Sequence, residues 1–114
     1  MNENKAHIKI MRVAREMLDG DIDLLVGCRI ITGLHSNADE PQDDIFMPFR
    51  AVDSETDHWP LGVSRDLCDT EYLKRVDSQI ERYLDLEAEY IKTACRNVIE
   101  KLSSLAIKNN SESE

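Results

Sequence analysis

Apolar residues recur along much of this chain at the three- and four-residue spacing that is typical of amphipathic helices. The first such stripe comprises Ile8, Met11, Ala14 and Leu18, and Gly20 after it predicts a helix end. Asp21 follows at a position where we expect it to cap a second helix. The stripe of that helix comprises Ile22, Leu25, Cys28, Ile31 and Leu34. The short turn between the two stripes predicts an antiparallel helical hairpin over about residues 5–35.

The helical pattern returns after Asp69, the expected N-cap, and continues toward the C-terminus. Neither Gly nor Pro occurs after residue 67, and apolar side chains recur at Leu73, Val76, Ile80, Tyr83, Tyr90, Ala94, Val98 and Leu102. One helix over residues 69–106 would span more than about 45 Å, longer than a compact domain of this size. We therefore expect either a helix pair divided near residues 85–89, where acidic side chains crowd, or one long helix whose end packs on another subunit. Residues 109–114 are polar and predict a disordered tail.

Residues 36–66 follow no regular period, and three prolines (Pro41, Pro48 and Pro60) exclude a continuous helix through them. The segment still offers apolar anchors at Ile45, Phe46, Met47, Phe49, Val52, Trp59 and Leu61. We expect an ordered loop across the helices, with one short helical turn near residues 43–46. The predicted fold is all-α: a three- or four-helix bundle with a long ordered central loop, forming one domain over residues 1–108.

The polar N-terminus and the absence of long apolar runs favour a cytoplasmic protein without membrane contact. The three cysteines, Cys28, Cys68 and Cys95, are far apart and fit no C-x-x-C spacing. Cys28 and Cys95 fall on the apolar stripes, which predicts buried, unreactive thiols.

The formal net charge of −9 is concentrated in the central segment. Residues 36–57 carry seven acidic side chains against Arg50 alone, and therefore −6 of the total: Asp39, Glu40, Asp43, Asp44, Asp53, Glu55 and Asp57. A field of this sign repels phosphate backbones, so it disfavours direct nucleic-acid binding and favours a basic protein or a cation. We expect these carboxylates to form a partner-binding surface, with Phe46 and Phe49 as exposed apolar anchors.

Two other interpretations of the same segment stay open. Asp53, Glu55, Asp57 and His58 could ligate a hard cation, because oxygen-rich clusters suit Mg²⁺, Mn²⁺ or Ca²⁺. The D-x-E-x-D alternation resembles the start of an EF-hand loop, but His58 stands where that loop needs glycine. Alternatively, the polar residues shape turns and Trp59 is a hydrophobic plug, which would make the segment a scaffold.

Catalytic signals are absent from the sequence. Ser54 and Cys68 are candidate nucleophiles, but no arrangement of a base and an orienting group surrounds either one. The four glycines are isolated and form no phosphate-binding loop. We therefore predict a protein that is not an enzyme and needs no cofactor.

The string Asp53-Ser54-Glu55-Thr56-Asp57-His58-Trp59-Pro60-Leu61-Gly62, with the hairpin sequence around Gly20 and the C-terminal Ala94-Cys95-Arg96, resembles a family of small bacterial helical proteins of unknown function. The resemblance extends from about Arg12 to Leu102 and implies no catalytic residues. In size and charge the chain is also similar to the immunity proteins that neutralise toxins of contact-dependent growth inhibition systems. That similarity implies a basic toxin domain as the partner.

Three hypotheses therefore remain. The chain is a protein-binding module of the immunity type, a metal- or small-molecule-binding domain, or a structural homodimer joined through its C-terminal helices.

Overall fold

The computed structural model describes the backbone of residues 2–37 and 44–112, and the side chains of residues 5–35, 44–62 and 64–104. These residues form four α-helices, which we number in chain order: α1 (Asn2–Asp19), α2 (Leu24–Asn37), α3 (Met47–Thr56) and α4 (Thr70–Glu112). Two short 3₁₀ segments, Asp44–Phe46 and Gly62–Leu67, precede α3 and α4. The described part of the chain contains no strand, which confirms the prediction of an all-α fold.

The predicted hairpin is present, but its second helix begins later than expected. Gly20 ends α1 with a φ of +84°, a conformation that residues with a Cβ rarely adopt. The backbone N–H groups of Leu25 and Val26 donate to the Asp23 carboxylate at 3.1 and 3.3 Å. Asp23, and not Asp21, is therefore the residue that satisfies the first turn of α2.

The short helical turn predicted near residues 43–46 is present as the 3₁₀ segment Asp44–Phe46. The prediction of a loop over the rest of residues 36–66 is wrong, because α3 occupies ten of them. Pro48 lies in the first turn of α3, where its missing N–H leaves no hydrogen bond unmade. Phe49, Val52 and Thr56 follow at steps of three and four residues and are buried. The helical stripe was therefore present in the sequence, and the prolines mark the ends of α3.

The C-terminal region is one helix of 43 residues without a break near residues 85–89. Asp85 and Glu89 are exposed there, so water solvates their charges, and no proline or glycine interrupts the hydrogen bonding. The helix extends to Glu112, past the point where we expected a disordered tail, and residues 113 and 114 lie outside the described part. This helix sets the long axis of a molecule measuring 59 × 25 × 23 Å.

The core is formed where α1 packs against both α2 and α4, and α3 covers α2. Helix α1 runs antiparallel to α4: Met17 Sδ lies 3.7 Å from Cys95 Sγ, and Met11 Sδ lies 3.5 Å from Ser103 Oγ. Aliphatic side chains dominate this core, as the low aromatic content predicts. Its fully buried members include Ile10, Met17, Leu25, Ile31, Phe49, Ile91, Val98 and Leu102.

A pair of glycines in α2 tests how tightly the hairpin is packed. A Cβ at Gly27 would overlap the buried Met17 side chain, whereas a Cβ at Gly33 meets nothing within 4 Å. We expect Gly27→Ala to lower the free energy of unfolding by about 1–3 kcal/mol. Gly33→Ala should raise it by about 0.5–1 kcal/mol, because alanine loses less backbone entropy in a helix. Urea denaturation of both variants checks this, and equal effects of the same sign would contradict the packing described.

Candidate functional site

Arg29 of α2 joins the second and third helices. Its guanidinium donates hydrogen bonds to the backbone carbonyls of Thr56, at 2.5 Å, and of Trp59, at 3.0 Å. Its Nε also lies 3.4 Å from the Asp53 carboxylate. The last carbonyls of a helix lack intrahelical donors and carry a partial negative charge, so a cation is favourable there. Arg29 thereby caps the C-terminus of α3.

Trp59 and Tyr83 join the same end of α3 to α4. The Trp59 indole is 9% exposed, donates from Nε1 to Gln79 Oε1 at 3.1 Å, and packs edge-on against Tyr83 with centroids 5.7 Å apart. The Tyr83 hydroxyl donates to Glu55 Oε2 at 3.0 Å. Burial, followed by this hydrogen bond, raises the pKa of Tyr83 above its usual value. Tyr83 is therefore a stable donor at neutral pH.

Most of the polar side chains in residues 53–59 that are described above make contacts within the fold. Within α3, the Thr56 hydroxyl donates to the carbonyl of Val52 at 2.8 Å. Asp53 faces Arg29 and Glu55 faces Tyr83, since positions two apart on a helix point about 200° away from each other. The metal-site hypothesis required these carboxylates to converge with Asp57 and His58. Over the described residues, no three His, Cys, Asp or Glu side chains are grouped so that they could hold a metal ion.

Phe46 and Phe49 were expected to be exposed anchors, and that prediction is wrong. They are 3% and 1% exposed and belong to the core. Phe46 stacks on the His35 imidazole, with centroids 4.0 Å apart and an interplanar angle of 19°. The 3₁₀ segment before α3 contacts α4. Burial of the Phe46 ring there stabilises the fold, because it removes apolar surface from water.

The acidic residues expected to bind a partner now fall into three groups. Asp39, Glu40 and Asp43 lie outside the described residues. Asp53 and Glu55 contact other helices, as above. Asp44 and Asp57 are exposed; Asp44 lies before the start of α3, and Asp57 directly follows its end.

Between Asp44 and Asp57, α3 presents a surface that the sequence analysis did not anticipate. Met47 is 49% exposed at its start, and the exposed Ala51, Ser54 and Glu55 continue it. We call Asp44, Met47, Ala51, Ser54, Glu55 and Asp57 the α3 outer face. Small side chains lie in the middle of this face and carboxylates lie at both ends, and Met47 is its one large apolar residue. The steps 47, 51 and 54 were the signal for it, once the segment is recognised as a helix.

Arg29 was also missed, although the sequence contains a signal for it. It is the only Asp, Glu, Lys or Arg in the fourteen residues of α2. A single guanidinium in an otherwise apolar helix requires a partner that the helix does not supply. The sequence does not reveal that backbone carbonyls would be that partner.

The Cys28 and Cys95 thiols are buried, as the helical stripes predict, whereas the Cys68 thiol is only partly buried. Burial, with smaller contributions from the neighbouring Cys95 and Asp53, raises the pKa of Cys28 to about 12. Burial likewise raises the pKa of Cys95 to about 11. Cys68 is partly exposed, with Sγ 3.6 Å from the Ser64 carbonyl oxygen.

A cleft of about 370 Å³ lies between the start of α2, the 3₁₀ segment before α4, and α4 itself. Its apolar walls are Val26, Leu61 and Ile80. Its charged residues already have intramolecular partners: Asp23 caps α2, and Arg65 pairs with Asp77 at 2.8 Å. The cleft therefore offers little for recognition of a charged small molecule.

None of the helices in the described part of the chain combines the length and hydropathy that crossing a membrane requires. No protein-family model, curated protein sequence or solved structure matches this chain. Function must therefore be inferred from the surfaces and contacts of this fold.

The capping role of Arg29 can be measured. We expect Arg29→Met to lower the free energy of unfolding by about 2–3 kcal/mol, because two carbonyls and a carboxylate lose a charged donor. Arg65→Met is the matched control: Arg65 is as exposed as Arg29, but its partner is the exposed carboxylate of Asp77, and such an ion pair is worth about 0–1 kcal/mol. Chemical denaturation of both variants compares them, and equal losses would show that Arg29 does not hold α3 in place.

Thiol chemistry provides a second test. Between pH 7 and pH 9 the Cys28 and Cys95 thiols stay protonated in the folded protein, because their pKa values of about 12 and 11 lie above this range. A disulfide reagent should modify Cys68 rapidly and the other two about 100-fold more slowly, since the thiolate is the nucleophile. Cys68→Ser should abolish the rapid phase, and denaturant should make the remaining thiols reactive. A second rapid phase in the folded variant would contradict their burial.

Proposed function

We propose that this protein is a non-enzymatic module that binds another protein through the α3 outer face. The observation that carries the proposal is the exposure of this face, with Met47 49% exposed and acidic residues at both ends. Arg29 and Trp59 hold α3 against α2 and α4, so the face is presented by a helix that is already fixed. A fixed surface loses little conformational entropy on binding, which favours affinity.

The proposed partner is a basic protein, in the manner of a cytoplasmic bacterial immunity protein that neutralises a toxin. The net charge of −9 and the excess of acidic residues near α3 support this. A nuclease toxin carries a basic surface for nucleic acid, and an acidic protein can occupy that surface. Complementary charge accelerates association and sets orientation, while a buried apolar contact slows dissociation.

Asp53 contributes less to this field than the sequence suggests. The Arg29 guanidinium offsets its charge, so the attraction must come from residues such as Asp44 and Asp57. The apolar anchor moves in the same way, from Phe46 and Phe49 to Met47. We therefore still propose a basic protein as the partner, with Asp44, Asp57 and Met47 as residues that contact it.

The product of the gene adjacent to this one is the partner to test, using stopped-flow association at several salt concentrations. We expect Asp44→Lys with Asp57→Lys to slow association about 10-fold or more at low salt, with convergence toward the wild-type rate as salt increases. The control is Asp19→Lys with Asp85→Lys, which changes the net charge equally at exposed sites outside the α3 outer face.

In the same assay Met47→Ala should accelerate dissociation, whereas Leu67→Ala, at a residue that is 91% exposed, should not. Association that is insensitive to salt, and equal for both charge-reversed variants, would overturn the proposal.

A further inference from the structure

One side of α4 stays uncovered along most of its length. Its members follow the three- and four-residue steps of a helix–helix seam, and all of them are exposed. We call them the α4 strip: Tyr72, Arg75, Gln79, Arg82, Leu86, Glu89, Tyr90, Thr93, Asn97 and Glu100. The strip lies apart from the face of α4 that packs on α1, whose buried residues include Ile91, Cys95 and Leu102.

The centre of the strip carries two large exposed apolar side chains one turn apart. Leu86 is 81% exposed and Tyr90, one turn later, is 51% exposed. Tyr72 adds a third large side chain at 38%. Leucine on the outer side of a helix favours helix formation no more than lysine or glutamate does, so helix propensity alone does not explain Leu86.

The charges of the strip are arranged by halves. The N-terminal half carries Arg75 and Arg82, and the C-terminal half carries Glu89 and Glu100. Glu71 also lies beside Arg75, but its ion pair with Lys74 at 3.8 Å offsets its charge. Two parallel copies of the strip would place like charges together, whereas two antiparallel copies place each basic half on an acidic half. The strip is therefore complementary to itself in one orientation.

We propose that two copies of this chain associate through the α4 strip as an antiparallel pair, with the two-fold axis at Leu86. Leu86 then meets Leu86 of the second copy, and Arg82 lies beside Glu89 of the second copy, twice in each dimer. Gln79 faces Thr93 of the second copy, while Trp59 Nε1 holds the Gln79 amide in place.

The size of the contact sets its strength. From residue 72 to residue 100 the strip is about 42 Å long and about 10 Å wide, or roughly 400 Å² on each copy. This is below the roughly 800 Å² per partner of a stable interface. The pair therefore forms weakly and depends on concentration, with the monomer predominating at low micromolar protein.

Sedimentation equilibrium from about 10 µM to 1 mM tests the association, at about 0.15 M salt so that the repulsion between two chains of net charge −9 is screened. The mean mass should rise from 13.1 kDa toward twice that value as concentration increases. Leu86→Glu should abolish the rise, because it places two like charges on the axis. Arg82→Glu and Glu89→Arg should each weaken association about 10-fold, and the two combined in one chain should restore it. Glu81→Arg, at an exposed site off the strip, should have no effect.

Cross-linking tests the orientation, in a Cys68→Ser background that leaves the two buried thiols. Leu86→Cys should form a disulfide-linked dimer on oxidation. Thr93→Cys should not, since seven residues on each side of the axis separate the two copies of residue 93 by about 21 Å. A mass of 13.1 kDa throughout, or cross-linking of Thr93→Cys as efficient as that of Leu86→Cys, overturns the proposal.

The two proposals concern different residues and fail separately. Loss of partner binding in variants of the α3 outer face leaves self-association intact. Loss of self-association in Leu86→Glu leaves the acidic face unchanged.

Discussion

The guanidinium of Arg29 is the contact on which the arrangement of this fold depends most. It reaches from α2 to the carbonyls of Thr56 and Trp59 and to the Asp53 carboxylate. A helix end in a protein interior must satisfy its last carbonyls, and α3 has no glycine cap of its own. Because an arginine from a neighbouring helix supplies the donors, α3 can end against α2, and the chain can then turn toward α4. Trp59 is also held there by its backbone N–H, which donates to the Thr56 carbonyl at 3.1 Å, and by its indole, which donates to Gln79 of α4.

Two consequences for the surface follow from this arrangement. Packing of α3 against α2 buries Phe49 and Val52 and leaves Met47, Ala51 and Ser54 on its outer side. Phe46 and Phe49, the predicted recognition anchors, are thus buried in the core, while small side chains and carboxylates remain exposed. In α4, by contrast, α1 and α3 pack on one side of the helix, so the opposite side stays exposed over many turns. The two surfaces proposed for binding are therefore the sides of α3 and α4 that do not face the core.

Some of the carboxylates of α3 make contacts within the fold and are therefore not fully available to a partner. Asp53 and Glu55 are both acidic and only two residues apart, yet one completes an ion pair within the fold and the other accepts a hydrogen bond at its edge. Counting charge along the chain therefore overstates the field that a partner meets. What matters for recognition is the charge left after the internal contacts have been made, which is concentrated at positions such as Asp44 and Asp57.

Local periodicity was enough to predict the helical class, the hairpin of α1 and α2, and the burial of Cys28 and Cys95. It also predicted most of the apolar stripe of α4, but Tyr90, expected on that stripe, lies on the exposed side of the helix. The continuity of α4 was undecided, since a helix of that length is stable only where other elements cover part of it. Helix α3 is hidden in the sequence because prolines normally interrupt helices, whereas here they mark the ends of one. The packing of the helices, and no local pattern, places Phe46 and Phe49 inside, sets Asp53 against Arg29, and leaves the α3 outer face and the α4 strip outside. These outcomes depend on which helix packs beside which, and no local pattern encodes the neighbour.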